Sequence, residues 1–187
     1  MKRAVAIVAL LHLIVSTASA QTQPEHTTFQ GLWIGMSAAE FGATEKGKPL
    51  VDKYEHSRFR FQPSWQKLCD PNTTQDVAGK IMPASVTLRD DRAAYTIEKA
   101  KLTSIFLTTS DSFETTSGFL TERFGEPTTN KVIPVQNGFG ATWNVYLARW
   151  DRPDNVRITV KGSDKLNEPA SVHYEIPEQE APKVNPY

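Results

Sequence analysis

A single cysteine, Cys69, is present, so the chain cannot form an internal disulfide and must hold its fold with an apolar core. Charge of one sign is lacking too. Basic and acidic residues number 21 each, and without Lys2 and Arg3 the balance is 19 to 21. That near-neutral total excludes the overall electrostatic footprint of a nucleic-acid binder. Only one long apolar run exists, Ala4 to Val15. No second run is long enough for a membrane-spanning helix. Catalytic signatures are missing as well: there is no G-x-S-x-G, H-E-x-x-H or Walker-type sequence. Gly138-Phe139-Gly140 precedes strand-like residues rather than a helix, which excludes a nucleotide loop.

What is present begins with an export signal. Lys2 and Arg3, the apolar run and Ala18-Ser19-Ala20 read as a secretory leader cleaved after Ala20. The expected location is the periplasm or the exterior. The residue directly after the cleavage point is Gln21 rather than cysteine, so no bacterial lipid anchor is expected. Residues 21–28 read as a loose polar lead-in, 29–176 as a single domain and 177–187 as a proline-rich tail. A domain of this size buries about 70% of its chain surface on folding, enough for an unaided core.

The clearest element runs from Ser110 to Pro127. Asp111 and Glu114 have capping-box spacing. Phe113, Leu120 and Phe124 form one apolar side, with Ser117 among them. Gly125 and Pro127 end the helix. A second capping box, Ser37 to Glu40, predicts a short helix from Ser37. Phe29 to Ile34 reads as a first strand. Lys48-Pro49 reads as a turn, and Tyr54 to Phe61 as a strand, with Phe59 and Phe61 alternating against Arg58 and Arg60.

From Val86 onward the chain turns to strands. Val86 to Leu88 enters a turn at Asp90-Asp91-Arg92, and Leu102 to Thr109 reads as a buried strand. Gln136-Asn137-Gly138 signals a hairpin. Period-two alternation then places Trp143, Val145, Leu147, Ile158, Val160, Val172 and Tyr174 on a buried side. Asn144, Tyr146, Arg157, Thr159, Lys161, His173 and Glu175 fall on the wet side. The fold class is α+β: an antiparallel meander sheet with one or two helices on one face.

Gly35-Met36-Ser37-Ala38-Ala39-Glu40 at a helix start and Phe124-Gly125-Glu126-Pro127 at a helix end resemble marks of the small outer-membrane-assembly lipoproteins of the SmpA/OmlA family. The architecture is similar to that of β-lactamase-inhibitor-protein domains. The pattern as a whole resembles exported proteobacterial proteins that combine an early GMS helix with a later FGEP helix. The resemblance implies an exported, non-enzymatic protein-binding fold.

Candidate chemistry is sparse. Cys69 with His56 or His173 as base would make a nucleophile, but no cysteine-hydrolase signature surrounds it. A half-buried structural thiol is the alternative reading. His26, His56 and His173 share no short spacing with one another or with Cys69, so no metal and no cofactor is called for. Asp151, Asp154 and Asn155 could touch calcium but suit a turn for backbone reasons. Two binding surfaces remain as candidates. One is the wet sheet face with Tyr146, Arg157 and His173. The other is the aromatic–basic cluster around Arg58, Arg60 and Trp65. The expected function is therefore non-catalytic binding of another protein or an envelope component. An envelope hydrolase with a site assembled from distant residues is the alternative, as is a small-ligand carrier with a cavity between helix and sheet.

Overall fold

The computed structural model describes residues 26–165 and 168–177. The expected export signal and cleavage point, the first part of the expected lead-in and nearly all of the expected tail lie outside the described residues.

Phe29 to Ile34 is not one strand. Strands β1 (Thr28–Phe29) and β2 (Leu32–Trp33) form a minimal hairpin. Gln30 and Gly31 turn it with positive φ angles of 50° and 78°, a geometry that reverses the chain at once. Thr27, in the segment expected as a loose lead-in, is buried, and its backbone N–H donates to the Asp154 carboxylate at 2.5 Å.

Helix α1 (Ala38–Ala43) starts where its capping box predicts. The Ser37 N–H and hydroxyl donate to Glu40 at 2.9 and 2.7 Å, while Glu40 N–H donates to Ser37 Oγ at 3.2 Å. Helix α2 (Gly47–Ser57) overturns both readings of the next segment. Lys48-Pro49 is its first turn, where a proline loses no intrahelical bond. Leu50 and Tyr54, four apart, are its buried stripe. The Arg58–Phe61 alternation that suggests a strand belongs to the loop after it, and neither ring is buried there. A one-turn helix α3 (Trp65–Leu68) follows, capped by Ser64. Strands β3 (Thr74–Val77) and β4 (Lys80–Pro83) form a separate two-stranded hairpin.

The main sheet has seven antiparallel strands. They are β5 (Ser85–Arg89), β6 (Ala93–Glu98), β7 (Lys101–Thr108), β8 (Thr129–Gln136), β9 (Thr142–Asp151), β10 (Arg157–Ser163) and β11 (Ser171–Glu175). Their order is β5-β6-β7-β11-β10-β9-β8, so the meander runs in two blocks that meet at β7 and β11. Helix α4 (Phe113–Phe124) carries the chain from the middle of the sheet to its far edge. It begins one residue later than the capping-box pattern suggests. Ser112, not Asp111, is the cap, and its hydroxyl accepts from Thr115 N–H at 3.3 Å. Gly125 closes the helix at φ +82°. The hairpin at Asn137 is a wider loop than a two-residue turn, and Asn137 Oδ1 accepts from Phe139 and Ala141 N–H at 3.0 Å each.

Helices α1, α2 and α4 all pack on one face of the sheet. A single row of buried side chains crosses it beneath them: Leu88, Tyr95, Ile105, Tyr174, Ile158 and Trp150, each paired with the next in the strand register. Antiparallel partners point to the same side, so this row fixes which face is core. The architecture is α+β, an antiparallel sheet covered on one side.

Candidate functional site

The register moves β9 by one face. Ile158 pairs with Trp150, and Val160 with Ala148. Tyr146, Ala148 and Trp150 therefore share the helix side, and Trp143, Val145 and Leu147 lie on the uncovered side. This corrects the alternation-based assignment of the β9 residues; Ile158, Val160, Val172 and Tyr174 are buried, as the alternation predicts. Tyr146 stacks on Phe113 of α4, with ring centroids 5.3 Å apart. It belongs to the packing beneath the helix and is not available on the open face. The physical reason is that β9 is apolar on both sides, so alternation alone gives no preference; Trp150, whose Nε1–H donates to Gly125 O at 2.8 Å, settles the choice.

The other two sheet residues are on the open face. Arg157 Nε donates to Asp151 at 2.8 Å across the β9–β10 pair. His173 Nδ1 lies 3.4 Å from Glu175 on the same strand, and its ring meets Phe106 edge-on at 6.1 Å. Register places Phe106, His173, Thr159, Arg149 and Thr129 in one row across this face. At the β8–β9 end the face becomes apolar: Val135 pairs with Trp143, Ile133 with Val145, and Leu147 sits beside Lys131 and Lys161. The Lys165 ammonium covers the Trp143 ring at 3.7 Å. Val135, Trp143, Val145, Lys161 and Glu168 border a cleft of about 470 Å³ there. Sequence reasoning missed this patch because it assigned Trp143, Val145 and Leu147 to the core.

The second cluster is divided. Trp65 is structural: its ring lies 6.3 Å from Phe41, and its backbone N–H donates to the Glu55 carboxylate. Arg58 donates from Nε to the same carboxylate at 2.8 Å. These bonds hold the Glu55 carboxyl below its ordinary value, chiefly through the Trp65 N–H. Arg60 is exposed, and with Arg58, Phe61, Lys67, Asp76 and Val77 it lines an open groove of about 1160 Å³ between the 58–64 loop and the β3–β4 hairpin.

The groups considered for catalysis do not converge. Cys69 packs against the core on the helix side, and partial burial pushes its thiol pKa up, away from a reactive thiolate. His173 is on the opposite side of the sheet. His56 Nδ1 is 2.7 Å from the Asp52 carbonyl, one turn back on α2. Among the described residues no three His, Cys, Asp or Glu side chains gather as metal ligands. Asp154 serves the chain entry, accepting from Thr27 N–H and Oγ1–H. No described helix is long and apolar enough to cross a membrane. No protein-family model, curated protein or solved structure matches the chain.

Proposed function

We propose that this chain is an exported, non-catalytic protein that binds another protein or an envelope component through the uncovered face of its sheet. One observation carries the reading. The face left open by the helices bears an apolar patch, Ile133, Val135, Trp143, Val145 and Leu147, ringed by Lys131, Lys161 and Lys165. An open sheet face normally carries polar side chains, and a contiguous apolar patch that includes an aromatic, here Trp143 at its hairpin end, is the composition of an interface. The raised thiol pKa of Cys69, and its separation from His173 by the sheet, support binding over a cysteine hydrolase.

The test is affinity capture from an envelope extract, with partners identified by mass spectrometry, using the natural protein beside a Val145→Arg variant. A partner captured by the first and lost by the second, at an unchanged unfolding midpoint, is the expected result. Equal capture by both moves the binding site off this face. Amino-terminal sequencing of the protein recovered from cells tests export, with Gln21 expected as the first residue.

A further inference from the structure

We propose a second interaction surface: the loop after α2 is a shallow membrane-surface contact that inserts the paired rings of Phe59 and Phe61 among phospholipids. The proposal is independent of the sheet face.

The loop is fastened at its base and apolar at its tip. Phe59 N–H donates to Gln62 Oε1 at 2.9 Å, and Gln62 N–H donates back to the Phe59 carbonyl at 2.9 Å, which closes a tight turn. Arg58 bonds Glu55 on one side and the Gln62 carbonyl, at 3.3 Å, on the other. Tyr54 Oη–H donates to the Pro63 carbonyl. Pro63 itself favours an extended residue before it, which stiffens the exit. The backbone is thus held from α2 to α3 while two phenyl rings stand in water. Phe59 is 66% exposed and Phe61 86%. The rings are parallel within 3° and 5.7 Å apart, so they act as one apolar wedge.

Apolar exposure continues on the neighbouring hairpin. Of eleven large apolar side chains exposed among the described residues, five lie between Phe59 and Met82: the two rings, Val77 and Met82 on one face of the β3–β4 hairpin, and Ile81 on its other face. Phe61 and Val77 line the same groove, so the loop and the β3–β4 hairpin face each other across it. That hairpin lies outside the seven-stranded sheet.

Charge decides what covers the wedge. Arg60, Lys67 and Lys80 are exposed beside it, and each is without a carboxylate partner among the described residues. Two carboxylates lie among them and keep their charge: Asp70 accepts from Asn72 N–H at 2.9 Å and Asp76 from Gly79 N–H at 2.8 Å, so the three cations outnumber them by one. A rim with a small excess of cations around exposed aromatics complements a phosphodiester layer over hydrocarbon. A specific protein interface takes about 800 Å² per partner with matched packing. The two rings on their own do not supply that, whereas a bilayer surface needs no shape complementarity. The near-neutral total charge provides no long-range attraction, so the contact depends on the rings first and the cations second.

The experiment uses the protein as recovered from cells, with vesicles of phosphatidylcholine alone or mixed with phosphatidylglycerol. A Phe61→Trp variant reports from the tip itself. Its added emission should shift to the blue with both vesicles, and at lower lipid concentration with the mixed ones. In co-sedimentation, Phe59→Ala/Phe61→Ala should bind about tenfold or more weakly at an unchanged unfolding midpoint, because the buried apolar area is gone. Arg60→Glu/Lys67→Glu should lose only the preference for phosphatidylglycerol. No emission shift with either vesicle overturns the proposal. So does equal sedimentation of the double alanine variant. A protein captured by the natural chain, lost by the double alanine variant and bound without any vesicle response would give the loop to a protein partner instead.

Discussion

Phe113 and Tyr146 stack with ring centroids 5.3 Å apart and 27° between their planes, joining the first turn of α4 to the helix side of β9. Between them there is no room for a larger neighbour: a Cβ added at Gly162 would lie 2.7 Å from Phe113 Cβ. Gly162 pairs with Tyr146 across β9–β10, so the glycine and the two rings form one close-packed unit.

Tyr146→Ala should therefore destabilise the fold, by about 2–3 kcal/mol, since an aromatic partner is replaced by a cavity beneath the helix. Arg157→Ala, which loses only a surface ion pair with Asp151, should change stability by less than about 1 kcal/mol. Urea denaturation compares the two. An unchanged midpoint for Tyr146→Ala would mean that the stack does not hold α4 to the sheet.

The same helix offers an internal contrast. Leu120 is buried on the sheet side and the adjacent Phe119 is exposed. Leu120→Ala should cost about 2–5 kcal/mol, and Phe119→Ala less than about 0.5 kcal/mol. Equal losses would mean that α4 is rotated from the orientation described.

Legibility followed locality. The Ser37–Glu40 box and the Gly125 stop were readable because each is decided within four residues. The start of α4 missed by one because Asp111 and Ser112 are both good caps, and the Ser112 hydroxyl is the one that meets Thr115 N–H. Helix α2 was hidden by the Arg58-Phe59-Arg60-Phe61 alternation just beyond it and by Pro49, which is harmless in a first turn. The face of β9 depends on pairing with β10, a relationship that no window of β9 contains. The apolar surface patch went unread for the same reason: Trp143, Val145 and Leu147 look like core until the register places them outside.

Two glycines in helices should respond in opposite directions to alanine. A Cβ at Gly47 would fall 1.9 Å from the Phe41 carbonyl oxygen, a backbone atom that cannot move away cheaply. At Gly118, on the outer side of α4, nothing lies within 4 Å. Gly118→Ala should stabilise by about 0.5–1 kcal/mol through helix propensity and lower unfolded-state entropy. Gly47→Ala should destabilise by more than that gain, because α1 and α2 must separate. Thermal unfolding of the two variants checks the pair; a stabilised Gly47→Ala would show that the α1–α2 contact is loose.

The Lys46–Asp90 pair should set part of the pH dependence of folding. The Lys46 ammonium, just before α2, lies 2.6 Å from Asp90 in the β5–β6 turn. Partial burial works to raise the Asp90 pKa, but the Lys46 bond and N–H donors from Arg92 and Ala93, at 3.0 and 2.7 Å, outweigh it and hold the carboxyl below its ordinary value. A depressed folded pKa means the unfolded chain takes up the proton first. The contribution of Asp90 is therefore present above the ordinary aspartate value, about 3.9, and is lost as the pH falls through the lower folded value. Lys46 runs the other way. Its bond to Asp90 raises its pKa, so its contribution is present below the ordinary lysine value, about 10.4, and is lost as the pH rises through the higher folded one. Asp90→Asn should flatten the acid limb of a plot of urea midpoint against pH. Part of the slope should remain, because Glu40 and Glu55 are also held low, by Ser37 and by the Trp65 N–H respectively. Lys46→Met should flatten the acid limb and the alkaline limb together, since it removes the partner of one group and the other group itself. An Asp90→Asn variant whose acid limb overlays that of the natural protein would show that the pair is not held in solution.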